Sequence, residues 1–177
     1  MHHDKGAAKK AAPFSFQALM PTNFERMIQL ADEFFQTKND PAQLSITEEV
    51  MDRLQRLHPA TLSDYDDGNG PVVWILLLPT TAELERQFVS GEIGEKELLD
   101  LTPVAGPYQS IYLCSALVLP EFRGKGLAKR VALESIKSIA KDHPIKSLFF
   151  WAFSREGAGL AEVLARETGL PLSKRPG

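Results

Sequence analysis

The sequence predicts one α/β domain with a mixed central sheet and helices on both faces. Two almost wholly apolar runs, residues 72–78 and 111–119, are typical of strands that are buried on both sides. Apolar residues at helical spacing over 127–141 are followed by another apolar run over 145–153. A strand, a helix and a strand in this order predict parallel neighbouring strands joined by a crossover.

Before these runs, the pattern predicts a short strand over 14–19 and a helix over 22–36. Ser45 with Glu48 predicts a capping box that opens a second helix, which ends at His58-Pro59. The polar residues 63–71 predict a turn. After the first apolar run, Thr80 with Glu83 predicts a capping box for a helix over 81–89, and a short helix is expected before Pro103.

Composition places the chain among globular proteins and narrows its partners. The 177 residues are 44% hydrophobic and 24% charged, with a net charge of −3, so we expect neither a nucleic-acid nor a membrane partner. No apolar run approaches the roughly 18–20 residues of a membrane span. Residues 1–13 lack the apolar segment of a signal peptide and are predicted to be a mobile tail, which leaves 14–177 as a single domain. One cysteine, Cys114, excludes an internal disulfide and fits a cytoplasmic protein, and no metal site is predicted.

The stretch FRGKGLAKR, residues 122–130, places basic residues where a strand turns into a helix. Gly124 and Gly126 let a ligand approach the backbone, and the N–H groups of the first helical turn attract anions. Lys125, Lys129 and Arg130 oppose the helix dipole unless a multiply charged anion binds there. Neither a P-loop nor a dinucleotide fingerprint is present. The stretch therefore predicts a phosphate site, with a solvated connection as the alternative.

The segment LVLPEFRGKGLAKRVALESI resembles the acetyl-CoA loop of the GNAT superfamily of N-acetyltransferases. The family pattern is a strand with V-x-P, then Q/R-x-x-G-x-G/A at the start of a helix, and the likeness extends over roughly residues 108–170. The resemblance implies acetyl-CoA as the acyl donor, with its pyrophosphate on the loop and its pantetheine arm beside the end of the preceding strand. The residues implied to bind coenzyme A are Leu117, Val118, Arg123, Gly124, Lys125, Gly126, Ala128, Lys129 and Ser154, of which Ser154 is equally explained as a helix N-cap.

The catalytic positions of the family are not matched. Its usual tyrosine acid falls on Ala165, and a glutamate base found in some members falls on about Ser110. Tyr108 and Tyr112 are the candidates for a replacement acid. Cys114 is a candidate nucleophile or, more simply, buried packing.

Three functions remain open at this point. The first is transfer of acetyl to a primary amine of a small molecule or peptide by direct attack in a ternary complex. The second is a catalytically degenerate module that binds coenzyme A or acyl-CoA as a sensor or interaction domain. The third is a structural protein whose loop binds only adventitious anions. Residues 81–102 are expected to be a solvated helical insertion, with a lid or an interface as alternatives, and the short C-terminus favours a homodimer through an open sheet edge.

Overall fold

The computed structural model describes residues 20–36, 44–45 and 47–177, with the side chains of residues 35 and 36 left out. The strand predicted over 14–19 and the predicted N-terminal tail lie outside these ranges. Among the described residues, no helix is both long and apolar enough to cross a bilayer.

In the described residues, the central sheet is mixed and has five strands in the order β1-β2-β3-β4-β5. The strands β1, β2 and β3 pair antiparallel, whereas β3, β4 and β5 pair parallel. The predicted mixed sheet and the parallel pairing of the two late strands are therefore confirmed. The strand bounds are Leu62–Asp66 (β1), Pro71–Thr80 (β2), Ser110–Val118 (β3), Ser147–Trp151 (β4) and Leu172–Arg175 (β5).

Helices cover both faces of this sheet. Side chains of β2 alternate between two hydrophobic clusters: Ile75 and Leu77 belong to the first cluster, and Leu76 and Leu78 to the second. Alternate residues of a strand point to opposite faces, so the clusters lie on the two sides of the sheet. Helices α1, α5 and α6 contribute to the first cluster, and α2, α3 and α4 to the second. Their bounds are Asn23–Gln36 (α1), Glu48–Leu57 (α2), Ala82–Val89 (α3), Glu95–Leu101 (α4), Leu127–Asp142 (α5) and Arg155–Thr168 (α6).

Two predicted capping boxes were assigned to the wrong residue. The cap of α2 is Thr47, whose hydroxyl accepts a hydrogen bond from the Val50 N–H, and the cap of α3 is Thr81 rather than Thr80. A capping side chain must directly precede the first helical residue to reach the third N–H, and Ser45 lies too far back. Thr80 instead has its hydroxyl 2.7 Å from that of Thr102 inside the core.

The acidic stretch over 63–71 is only partly a turn, so that prediction was wrong for its first half. Residues 62–66 form β1, which pairs with β2. The turn itself follows, where Asp66 Oδ1 accepts hydrogen bonds from the N–H groups of Gly68 (2.7 Å) and Gly70 (3.1 Å). The strand was not predicted because a segment rich in aspartate is typical of a turn or loop.

The interpretation of residues 81–102 as a solvated insertion was also wrong. Phe88 of α3 and Leu98 of α4 are fully buried in the second cluster. Arg53 of α2 fixes the end of α4 by donating hydrogen bonds to the carbonyl oxygens of Leu99 and Thr102, both at 3.0 Å. These helices are part of the core.

Candidate functional site

The two central parallel strands diverge beyond their first few residues. Strand β3 pairs with β4 only through residues 110–113, but it continues along β2 as far as Val118. Leu76 lies opposite Ser115 and Leu77 opposite Leu113, so Cys114 forms a β-bulge at the point of divergence. Beyond the bulge, the backbone of residues 115–118 consequently has no strand partner on the β4 side among the described residues. This open edge can accept an extended ligand as an additional strand.

A cleft of about 640 Å³ opens where the strands separate. One wall is β3 from Leu113 to Val118, and the facing wall is the end of β4 with the start of α6. Leu30 and Phe34 of α1 line it as well, which the sequence alone did not indicate. Its size and mostly apolar lining are those of a small-molecule or cofactor site.

The loop between β3 and α5 lies at the mouth of this cleft. Gly124 and Gly126 have φ values of +75° and +72°, which favour glycine, and a Cβ at either position would meet no atom within 4 Å. Gly126 is the N-cap of α5, so no side chain caps this helix, and its first turn contains no acidic residue. The backbone N–H groups at the start of α5 are thus available to an anion in the open space beside the glycines.

Four cations surround this helix start, and they differ in what they contact. Arg123 donates from Nε to the Val118 carbonyl oxygen (3.1 Å), which ties the loop to the end of β3. Lys129 Nζ lies 2.6 Å from Glu167 Oε1 on α6, and hydrogen bonding from this lysine lowers the pKa of Glu167. The remaining two are placed over aromatic rings: Lys125 lies 5.2 Å from the Phe122 ring centroid, and Arg130 lies 4.8 Å from that of Tyr65.

The structure brings all but one of the predicted coenzyme-binding residues to the cleft. Lys125 is the exception, since its ammonium group contacts Phe122 and it does not line the cleft. Ser154 lines the cleft and also caps α6, where its hydroxyl accepts from the Gly157 N–H at 3.0 Å. The residues that do line it are Leu117, Val118, Arg123, Gly124, Gly126, Ala128, Lys129 and Ser154.

The two candidate acids lie elsewhere. Tyr112 is 1% exposed in the second hydrophobic cluster, and its hydroxyl donates to the buried carboxylate of Glu95. Tyr108 is fully buried in the same cluster and donates to the carbonyl oxygens of Pro103 (2.6 Å) and Val104 (3.0 Å). Burial raises the pKa of both phenols, that of Tyr112 most strongly. Neither tyrosine lines the cleft, so the structure does not bring them together with the loop.

Cys114 does line the cleft, at the bulge, and is 6% exposed. A carboxylate that sequence reasoning missed lies near the start of β3. Glu85 of α3 accepts hydrogen bonds from the hydroxyls of Ser110 and, at 2.6 Å, Ser147. The one feature of the sequence that could have indicated this contact is a serine at the start of each of two apolar strands, Ser110 in β3 and Ser147 in β4. The network joins α3 to both central strands at the end opposite the cleft mouth.

Comparison of the chain with models of protein families and with curated proteins found no match. The geometry of the cleft and its loop therefore carries the functional argument.

Proposed function

We propose that this protein is an acyl-CoA-dependent N-acyltransferase that binds its donor in the cleft between β3 and β4. The observation that carries the proposal is a glycine loop at an uncapped helix start, located where two parallel strands separate. The donor has the matching parts in the matching order, namely a pyrophosphate, an extended amide-containing arm and a thioester. The basic loop lines this same cleft, so one ligand could contact both the loop and the open strand edge.

The residues present suit each part of this donor. The N–H groups at the start of α5 and the side chains of Arg123 and Lys129 would hold the pyrophosphate. The amides of the pantetheine arm would pair with the open edge of β3 between Ser115 and Val118. With the arm in this direction, the thioester would lie deeper in the cleft, near the bulge. A backbone N–H of β3 just beyond the bulge would then be positioned to polarise the thioester carbonyl.

The chemistry that follows is direct transfer to a primary amine. The neutral amine nitrogen attacks the thioester carbonyl carbon, a C–N bond forms, and the C–S bond breaks. The sulfur leaves as a thiolate, and the proton lost by the attacking nitrogen neutralises it through solvent. Positioning of donor and amine in one complex supplies most of the rate enhancement in this scheme.

A second candidate is a module that binds coenzyme A or acyl-CoA without turnover. The placement of Tyr108 and Tyr112 favours it, because both hydroxyls already donate to other groups in the opposite core. Both candidates require the same binding step, and they differ only in whether an amine acceptor reacts.

The decisive experiment measures binding first and turnover second. Coenzyme A at about 100 times its Kd is expected to stabilise the fold by about 2.7 kcal/mol, which raises Tm by about 5–11 °C. ATP and NAD at the same concentration are the controls and are expected to produce smaller shifts. Release of free thiol from acetyl-CoA is then followed with polyamines, aminoglycosides, amino acids and peptides.

Each outcome has a distinct meaning. Stabilisation by coenzyme A with thiol release on adding one class of amine supports the transferase. Stabilisation without thiol release from any amine supports the binding module instead. Equal shifts with coenzyme A, ATP and NAD would overturn both and leave an unspecific anion site.

A further inference from the structure

The lining of the cleft divides sharply by burial. Six apolar residues form what we call the apolar floor, and each is at most 6% exposed. They come from β2, α5, β4 and α6, so the floor is built by packed elements and not by loops. Its residues are Ile75, Leu77, Ala132, Phe150, Ala161 and Leu164.

The charged part of the lining is separate from this floor. Arg123, Lys129 and Glu156 all lie at the starts of α5 and α6, where they are exposed or half-exposed. The other buried lining residues are Leu117 and Cys114, and a buried thiol behaves as a small hydrophobic group. A charged ligand group placed against the floor would therefore lose its hydration without finding a partner there.

We infer that the acyl group of the donor is an uncharged aliphatic chain longer than acetyl. The inference rests on the proposed function, because it takes the pyrophosphate to lie on the glycine loop. With the polar end of the donor fixed at the exposed mouth, the acyl end reaches the buried part of the cleft. There it contacts the apolar floor, which favours the binding of methylene groups and disfavours the binding of a terminal carboxylate.

The expected size of the preference follows from the hydrophobic effect. Each methylene group that becomes fully buried tightens binding about fourfold. Butyryl-CoA carries two more methylenes than acetyl-CoA, so complete burial would tighten binding about 16-fold. Succinyl-CoA has the same four-carbon chain length with a terminal carboxylate, which makes it the matched probe for charge.

The test is calorimetric titration of the full chain with five ligands: coenzyme A, acetyl-CoA, butyryl-CoA, hexanoyl-CoA and succinyl-CoA. We expect butyryl-CoA to bind at least fivefold more tightly than acetyl-CoA, and succinyl-CoA to bind at least tenfold more weakly than butyryl-CoA. Acetyl-CoA binding as tightly as both longer chains, or succinyl-CoA matching butyryl-CoA, would overturn the inference while leaving the proposed function intact. Failure of coenzyme A itself to bind would overturn both.

Substitution of Leu160 tests whether the acyl chain of the donor contacts the apolar floor. It lines the cleft half-buried on α6, one turn from Leu164. Leu160→Phe is expected to abolish the advantage of hexanoyl-CoA over acetyl-CoA, and Leu160→Ala to retain or increase it. Neither change should alter binding of coenzyme A by more than about twofold.

The control is Leu170→Phe, because Leu170 is also half-buried beside the first cluster but does not line the cleft. It should leave all five affinities unchanged. An unchanged hexanoyl-to-acetyl ratio in both Leu160 variants would refute the contact between the acyl chain and this wall. The same ratio change in Leu170→Phe would refute it equally.

Discussion

Replacement of Gly126 by alanine tests the proposed pyrophosphate site, and the fold supplies a matched control at Gly169. Gly126 has φ +72° at the start of α5, and Gly169 has φ +70° at the end of α6. A Cβ at either glycine would meet no atom within 4 Å. Gly126→Ala and Gly169→Ala therefore carry the same backbone strain, and only the first puts a methyl group beside the proposed anion.

The strain is small enough for both variants to fold. A left-handed conformation costs a non-glycine residue about 1–2 kcal/mol, which corresponds to a fall in Tm of about 2–8 °C for a chain of this size. The effect on binding is larger for Gly126→Ala, because the methyl group keeps a phosphate from the N–H groups at the helix start. Loss of one charge-assisted hydrogen bond already corresponds to about tenfold or more in affinity.

The measurements are thermal unfolding of the three proteins and calorimetric titration with coenzyme A. We expect similar falls in Tm for the two variants, at least tenfold weaker coenzyme A binding for Gly126→Ala, and unchanged binding for Gly169→Ala. Binding by Gly126→Ala within twofold of the parent would refute the placement of the pyrophosphate. Equal weakening in both variants would show that the loss comes from stability and not from the site.

Three further predictions address the charge, pH and capping of the fold. Glu167→Gln should tighten coenzyme A binding about two- to fivefold in calorimetry, because it frees Lys129 from an exposed ion pair. Burial lowers the pKa of His143 below 6.5, so the stability it contributes is present above that pH and is lost as the pH falls through the folded pKa. Urea unfolding between pH 7.5 and 5 should show this loss, and His143→Gln should flatten it. Thr81→Ala should lower the free energy of unfolding by about 0.5–2 kcal/mol in urea, and Thr81→Ser should restore most of it.

Each of these has an opposing result. Weaker coenzyme A binding by Glu167→Gln would show that the ion pair positions Lys129 instead of competing with the ligand. A pH profile unchanged by His143→Gln would assign the acid sensitivity to other groups. An unaffected stability in Thr81→Ala would show that this helix start needs no side-chain cap.

The strands and helices that the sequence predicted well are those whose pattern is dense and uninterrupted. The run over 72–78 is buried on both faces, and such a run has few alternatives to a central strand. Strand β1 was not predicted because its side chains are mostly polar and, within the described part of the chain, it pairs only with β2. The polar residues of β1 indicate that the strand is exposed to solvent, but they do not indicate that its backbone pairs with β2.

The candidate site also has a part that the sequence predicted and a part that it did not. The glycine loop and helix start are contiguous in sequence, so one short motif predicted most of the cleft mouth. The apolar floor is assembled from β2, β4, α5 and α6, and no local pattern connects these segments. The positions of Tyr108 and Tyr112 could not be predicted from the sequence either. Alternation along β3 shows which residues share a face of the sheet, but it does not show which face borders the cleft.

The proposed binding cleft and the titratable groups named as candidate acids or buried or half-buried carboxylates lie on opposite sides of the sheet. The cleft and the basic helix start belong to the side of α1, α5 and α6, whereas both tyrosine hydroxyls, Glu95 and Glu85 belong to the side of α2, α3 and α4. The open edge of β3 begins just beyond the β-bulge at Cys114, which is where the proposed thioester would lie. Transfer in this protein would therefore depend on donor positioning and backbone polarisation, with the amine deprotonated before it binds. Such a mechanism makes the rate rise with pH until the free amine predominates, with no fall at the pKa of an enzyme acid.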